Sequence, residues 1–383
     1  MYIKNLRLFQ FRNLRDTHYS FHPGVQCIVG KNGQGKTNLV EAISLLSLTR
    51  SFRTSSLNEL IQWGHSSASV FADCVIDGQE RAFGLSLSDG HRKTFIDGKE
   101  ADSVTSLIGN ILCITFSPTD ISLIKGSPQG RRRFIDRHAV DLEPQLVQQH
   151  LAYHRALKSK QAALKNGTAT ARELDVWNEI LIPGAMQILK GRLSLLHKLT
   201  ERLAPLSTRL FGEPGAISLK VVGSSGALIR ESNGEAPHIN EVARIFSEAR
   251  DKELSQQRVL VGPHRDDLGI ELFGKDSRAF ASQGQSRSIV LAMKLALIEL
   301  IEVQRGDTPI VLLDDVDSEL DSVRREAIFG AIFEKPRQIF ITATELRLPQ
   351  ELAAKVSQLL ELDGGALCSK GNDAEPRNAG VIV

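Results

Sequence analysis

The sequence predicts an α/β fold in which a predominantly helical segment interrupts a mixed sheet lobe built from both ends of the chain. Three observations carry that prediction. A glycine-rich loop at Gly30 to Thr37 lies between a strand-like and a helix-like run, long helical stretches take over between about Arg131 and Leu210, and an apolar strand ending in Asp314-Asp315 follows them. The expected division is 1–125 plus 255–383 for the sheet-bearing lobe and 126–254 for the inserted helical lobe.

At the N-terminal end, Tyr2 to Phe11 alternates apolar and polar residues in places, and Val25 to Val29 is a short β-rich run behind Pro23-Gly24. From Asn38, the apolar residues Leu39, Ile43 and Leu46 recur at helical spacing. Val70 to Ile76, Ala82 to Leu87 and Thr94 to Asp97 are punctuated by Asp77-Gly78, Asp89-Gly90 and Asp97-Gly98, the pattern of an antiparallel meander. Helical stretches such as Gln145 to Leu164 and Ile188 to Leu203 are expected to join at Asn166-Gly167 and Pro183-Gly184. Strand signals return near Val259. Ile289 to Ile301 is almost wholly apolar, as a helix buried against a sheet would be, and Pro309 to Leu313 and Gln338 to Thr342 read as buried strands. The polar stretch from Ser369 to Asn378 is expected to fray.

Bulk properties narrow the class. The 383 residues, 42% hydrophobic and 24% charged, suffice for two domains with sizeable cores, and a net charge of +2 leaves DNA binding to local patches. Cys27, Cys74, Cys113 and Cys368 stand far apart, without zinc or redox spacing, and read as buried small hydrophobes of a reducing cytosol. No signal segment or membrane-length apolar run is evident, so a cytoplasmic protein is expected.

Gly30-Lys31-Asn32-Gly33-Gln34-Gly35-Lys36-Thr37 fits G-x-x-x-x-G-K-[ST] at every fixed position, with the strand and helix that the motif requires on either side. Glycines let such a loop turn backbone N–H groups inward onto phosphate oxygens, at the positive end of the following helix. Lys36 is placed to reach the β and γ phosphates of ATP, and the Thr37 hydroxyl to supply a ligand to Mg²⁺. Asp314 sits where a second metal ligand belongs, at the end of an apolar strand, and Asp315 beside it is assigned to polarising water. Alone, such a pair could merely cap a strand. Ser282-Gln283-Gly284-Gln285-Ser286 precedes the apolar helix and offers a second anion site through Ser282, Gly284 and Gln285, or else a simple N-cap loop. One chain needs only one phosphate cradle, so a second suggests two chains sandwiching ATP.

With these motifs in order, the sequence resembles the ABC ATPases, Ser282 to Ser286 taking the place of the signature loop and Ser318-Glu319-Leu320-Asp321 that of the D-loop. Within that group it resembles the SMC-type heads and is similar to the RecF family of bacterial recombination mediators. The strings that carry this run nearly the whole chain: Phe11 to Leu14, Asn32 to Leu39, Arg50 to Arg53, Phe116 to Pro118, Lys125 to Pro128 with Arg131 to Phe134, Val261 to Asp267, and Leu313 to Asp315. The resemblance implies an ABC-type P-loop ATPase lobe with a short helical arm and no long coiled coil. It also implies a weak ATPase, ATP-dependent dimerisation on duplex or gapped DNA, release on hydrolysis, help for RecR and RecO in loading RecA, and a part in the SOS response. Two departures stand out. Where many ABC proteins carry a switch histidine, this chain reads Ile341-Thr342-Ala343-Thr344-Glu345, leaving Thr342 or Thr344 as hydroxyls; and Asp315 is one methylene shorter than the usual catalytic glutamate, which points to slow turnover. No clear Q-loop counterpart stands out, although Ser117 to Asp120 lies where a strand should end.

Arg131, Arg132, Arg133 and Arg137 form a cluster that either contacts DNA phosphates without reading sequence or makes a salt-bridged helix start, with Asp136 neutralising part of it. Arg12, Arg50 and Arg53 are further candidates for nucleotide or DNA phosphates, and His264 reads as a hydrogen-bonded turn residue rather than a metal ligand. Two other classes share the P-loop. A transport ATPase subunit is disfavoured by the helical insertion and absent switch histidine, and a small-molecule kinase would have no use for Ser282 to Ser286.

Overall fold

A computed structural model describes residues 1–167, 169–224, 238–315, 329–344 and 353–369, together with the backbone of 228–231. The chain forms two compact units, Met1–Thr119 with Asp307–Val383, and Asp120–Gly306. The expected D-loop at Ser318 to Asp321 and the expected fraying beyond Ser369 lie outside the described residues.

In the first unit, an antiparallel sheet runs in the order Thr17–Ser20, Tyr2–Phe9, Ser67–Ile76, Gln79–Ser88, His91–Ile96 and Lys99–Glu100. Its three Asp-Gly turns put aspartate at φ 50, 49 and 50° and glycine at 76, 73 and 78°, the left-handed pair that a two-residue hairpin needs. A second sheet runs Ala366–Ser369, Val356–Asp363, Val25–Val29, Ile339–Ala343, Ile310–Leu313 and Cys113–Phe116, parallel throughout except for its terminal hairpin. Val25–Val29 and Ile339–Ala343 are buried at every position, as strands covered on both faces must be.

Helix Lys36–Leu48 packs against strands of both sheets. A helix enclosed in this way has no solvent face to keep polar, which is why Leu39, Val40, Ala42, Ile43, Leu45 and Leu46 are buried all around it. The parallel register aligns Val29 with Ala343, and Leu313 with both Ile341 and Phe116. Gly30, Asp314 and Ser117 therefore leave the sheet at one edge, the carboxyl end where ligands of open α/β sheets bind.

The second unit holds the helices Pro128–Leu142, Leu146–Lys165, Ala171–Phe211, Ile239–Gln256 and Gln283–Arg305, with a sheet of Leu228–Glu231, Ile217–Val222, Asp267–Leu272 and Lys275–Asp276. Residues 255–306, placed with the sheet lobe on sequence grounds, belong to this unit. Strand Asp267–Leu272 pairs with Ile217–Val222 over its whole length, and helix Gln283–Arg305 packs on Ala171–Phe211 and Pro128–Leu142. Its apolar run is thus covered by helices of its own unit. The strand expected near Val259 begins only at Asp267.

Two sequence signals took a different form. Pro183-Gly184 does not end a helix; Ala171–Phe211 continues through it for 41 residues. Gly184 instead admits a close crossing, since a Cβ there would lie 3.2 Å from Cβ of Tyr153, and one at Gly191 would lie 2.6 Å from Leu146 Cδ1. Cys27, Cys74 and Cys113 are buried as expected, but Cys368 is exposed on the edge hairpin. The crossing is testable. Gly184→Leu should lower the unfolding free energy by about 1–3 kcal/mol through overpacking against Tyr153; a urea midpoint that does not fall would show that helices Leu146–Lys165 and Ala171–Phe211 do not meet there.

Candidate functional site

The loop at Gly30 to Thr37 leaves the parallel sheet after Val29 and enters helix Lys36–Leu48. Gly33 and Gly35 adopt φ of 83 and 111°, which side-chain-bearing residues rarely reach, and a Cβ at Gly30 would lie 2.3 Å from the Leu362 carbonyl oxygen. Within this turn Lys36 is 8% exposed and donates from Nζ to the carbonyl oxygens of Gly30 at 2.5 Å and Lys31 at 3.1 Å. Burial lowers its pKa, and the charges of Asp315 and Asp314 oppose that effect. Gly364 N donates to Gln34 Oε1 at 2.5 Å, tying the loop to the neighbouring hairpin.

Asp314, 3% exposed, meets the loop directly: the Thr37 hydroxyl donates to its Oδ1 at 3.1 Å. Thr342 donates to the same oxygen at 2.8 Å and accepts from the Asp315 amide at 3.0 Å. One buried hydroxyl thus braces both aspartates. Burial raises the Asp314 pKa, Thr342 and Thr37 lower it, and Asp315 raises it again. Asp315 is partly exposed with φ 51°, a left-handed conformation that aspartate tolerates better than most residues. The donor set fits a hard divalent cation, since a threonine hydroxyl and a carboxylate oxygen already stand within hydrogen-bonding distance. Of the two threonines considered at the switch position, Thr342 is committed to this brace and Thr344 is exposed.

Sequence reading missed the support behind the loop. Glu41, fully buried, accepts from Arg12 Nε at 3.0 Å and Nη2 at 2.9 Å, from Arg53 at 3.3 Å and from the Ser51 hydroxyl. Asn13 Nδ2 donates to the Gly33 carbonyl at 3.0 Å, Asn38 donates to Asn13 Oδ1 at 2.7 Å, and Arg53 donates to Asn38 Oδ1 at 2.6 Å. Arg12 and Arg53 therefore hold the loop's helix through Glu41, while Arg50 is exposed. The available signal was Glu41 itself, a lone acid in an apolar helix.

In the second unit, Ser282 caps helix Gln283–Arg305: its hydroxyl accepts from Gln285 N at 3.1 Å and Gln285 Oε1 accepts from Ser282 N at 2.9 Å. This is the N-cap that was weighed against an anion site, and the two are compatible. Amides of Gln283 and Gly284 still have no acceptor within the helix, and Ser282 is exposed.

The arginine cluster resolves unevenly. Arg131, 4% exposed, donates twice to Asp267 at 2.8 and 2.7 Å and to the Gly126 carbonyl at 3.1 Å. Arg137 pairs with buried Asp141 at 2.8 Å, and Arg132 donates to the Asp266 carbonyl at 2.7 Å. Arg131 and Arg137 are committed to ion pairs, a correction to their standing as DNA contacts; Arg133 alone of the four is exposed. Asp136, expected to neutralise the cluster, pairs with buried Arg192 at 2.7 and 3.0 Å.

Val261 to Asp267 explains these partners. Gly262 at φ 121° passes so close to Tyr153 that a Cβ would sit 2.4 Å from its hydroxyl, and that hydroxyl meets His264 Nδ1 at 2.8 Å. Burial and the Arg265 charge depress the His264 pKa to about 3, so the ring is neutral and structural, as its neighbours in sequence suggest.

Residues 2–361 match the RecF/RecN/SMC N terminal domain. A DNA replication and repair protein RecF of Myxococcus xanthus is 33% identical over 97% of this chain and 98% of its own length, and one of Heliobacterium modesticaldum is 36% identical over 92% and 95%. The chain belongs to the RecF family. A solved structure of the recombination mediator protein RecF with ATP in the RecFOR pathway superposes with a TM-score of 0.85 at 28% identity, covering 97% of this chain and 98% of that one. The RecF-family fold is thus an ABC-type α/β ATPase lobe with a helical insertion, and among the described residues no helix is long and apolar enough to cross a membrane.

The neutral His264 carries a pH consequence. Its folded pKa of about 3 lies below the ordinary value of 6.5, so its contribution is intact above about pH 6.5 and is lost as pH falls towards 3. Urea unfolding at pH 7.5 and 5.5 should show a decline about 1 kcal/mol smaller in His264→Asn than in the unaltered protein; equal declines would mean that His264 titrates normally in the fold.

Proposed function

We propose that this protein is a weak ATPase of DNA repair and replication-gap processing, in which ATP binding drives dimerisation on duplex or gapped DNA and slow hydrolysis drives release. The observation that carries the reading is the approach of Thr37 to Asp314 at 3.1 Å, which joins a phosphate-binding loop to a metal-type carboxylate across 277 residues of chain. ATP supplies a phosphoanhydride whose cleavage resets the assembly. Backbone N–H groups of Gly30 to Gly35 and the Lys36 ammonium neutralise the phosphates, and Thr37 with Asp314 would hold Mg²⁺, which screens their charge. Asp315, on its strained backbone and with its amide fixed by Thr342, orients water at the mouth of the loop. Its short side chain accords with slow turnover.

Ser282, Gly284 and Gln285 offer a capped helix start to the nucleotide of a second copy, making the homodimer the complete site. The family's repair role and the placing of a solved relative in the RecFOR pathway support RecR, RecO and RecA as functional partners, with the SOS response downstream, in the cytoplasm. DNA contact is sequence-independent; Arg133 is the member of the arginine cluster available for it.

Sedimentation of the protein with ATP, Mg²⁺ and gapped DNA tests nucleotide, DNA and oligomerisation together. Lys36→Met should abolish nucleotide-dependent dimers; dimers that persist undiminished would sink the phosphate-loop assignment. Ser282→Arg should leave ATP bound to the monomer yet block dimerisation, and loss of ATP from that monomer would contradict the composite site.

A further inference from the structure

The capped loop at Ser282 is preceded by a helix of only four residues, Ser277–Phe280. A single turn is costly to nucleate and leaves its last carbonyls without intrahelical donors. Lys125 adds donors from a distant part of the same unit: its Nζ donates to the carbonyl oxygens of Ala281 at 2.6 Å, Arg278 at 3.0 Å and Ser277 at 3.2 Å, the last of which also accepts from the Ala281 amide at 3.1 Å. An ammonium has three N–H bonds and here all three find carbonyls, with the positive charge at the C-terminal end of the turn. Ser277 and Ala281 are buried at 1% and 7% exposure, while Phe280 between them is 71% exposed and Ser282 is exposed. The segment is therefore fixed at its buried residues and presents a large apolar side chain two positions before the cap.

We propose that Lys125 is a positioning residue which, by holding these three carbonyls, sets Phe280 and Ser282 in the shape against which a second copy of the chain docks, Phe280 serving as the apolar anchor. This rests on the reading of Ser282 to Ser286 as half of a composite nucleotide site. A largely exposed phenylalanine on a braced turn gains by being covered, and the copy whose nucleotide meets Ser282 lies nearest to cover it.

Hydrogen exchange of amides 280–286 in the protein without nucleotide, and sedimentation with ATP and Mg²⁺, test the two halves of the proposal. Lys125→Met should speed exchange in this segment and weaken dimerisation roughly tenfold, the equivalent of one good hydrogen bond, with Lys125→Arg recovering most of the loss. Phe280→Ala, a change at an exposed position, should weaken dimerisation without altering exchange. Lys125→Met behaving as the unaltered chain in both measurements, while Ser282→Arg still blocks dimers, would overturn the role of Lys125 and leave the composite site standing. Dimerisation of Ser282→Arg would instead remove the composite site and the proposal together. Should Lys125→Met fail to fold, undiminished dimerisation of Phe280→Ala decides against the docking surface.

Discussion

Asp314 is a carboxylate with almost no access to water, at the end of a strand whose other residues are wholly apolar. Such a group is expensive unless hydrogen-bond donors meet it, and the surrounding architecture supplies two. Thr37 arrives from the start of one helix and Thr342 from the adjacent strand, both on Oδ1. Both arrive together only because the parallel register brings Val29, Ala343 and Leu313 to one edge of the sheet. A slip of one residue in any of these pairings would turn a threonine into the wrong face and strand the carboxylate. The same edge keeps Lys36 near two acids, whose charges offset the effect of burial on its ammonium.

A second buried acid, Glu41, does for the helix what Asp314 does for the strand. Two arginines and a serine converge on it, so that the segments around Arg12 and Ser51 are locked to the helix that begins at Lys36. Asn13 then reaches the Gly33 carbonyl and Asn38 reaches Asn13, which holds the outer curve of the loop from behind. A phosphate cradle must keep its N–H groups in place before any anion arrives, because each amide that must reorient on binding subtracts from affinity. Here the preorganisation comes from side chains lying outside the motif.

Local chemistry was readable in the sequence, and long-range pairing was not. The Asp-Gly turns could be read because φ > 0 at two successive positions leaves few residue choices, and the loop because its glycines answer steric demands of the same kind. Pro183-Gly184 looked like a break for the same reason, yet tertiary packing against Tyr153 outweighed the local preference and the helix ran on. The placing of 255–306 depended on a strand pairing, Asp267–Leu272 with Ile217–Val222, between segments with no local relation. The arginine cluster was ambiguous in the same way: whether a guanidinium faces solvent or a carboxylate depends on Asp267 and Asp141, one of them distant in sequence.

On the proposed reading, that ion pairing bears on how affinity for DNA would be generated. Among the described residues the arginine cluster is largely committed to internal partners, Arg131 to Asp267 and Arg137 to Asp141, so in one copy it offers few cationic groups to a phosphate backbone. Affinity for nucleic acid grows steeply with the number of phosphates neutralised, because each contact releases condensed counterions. Joining two copies doubles the cationic groups that can engage one duplex and makes the second set of contacts intramolecular. On the proposed reading, control of DNA binding by ATP then needs no contact between nucleotide and DNA, nor a change of shape within either unit. The braced phosphate loop of one copy and the capped helix of the other suffice, because the nucleotide decides whether the surface exists in single or double measure.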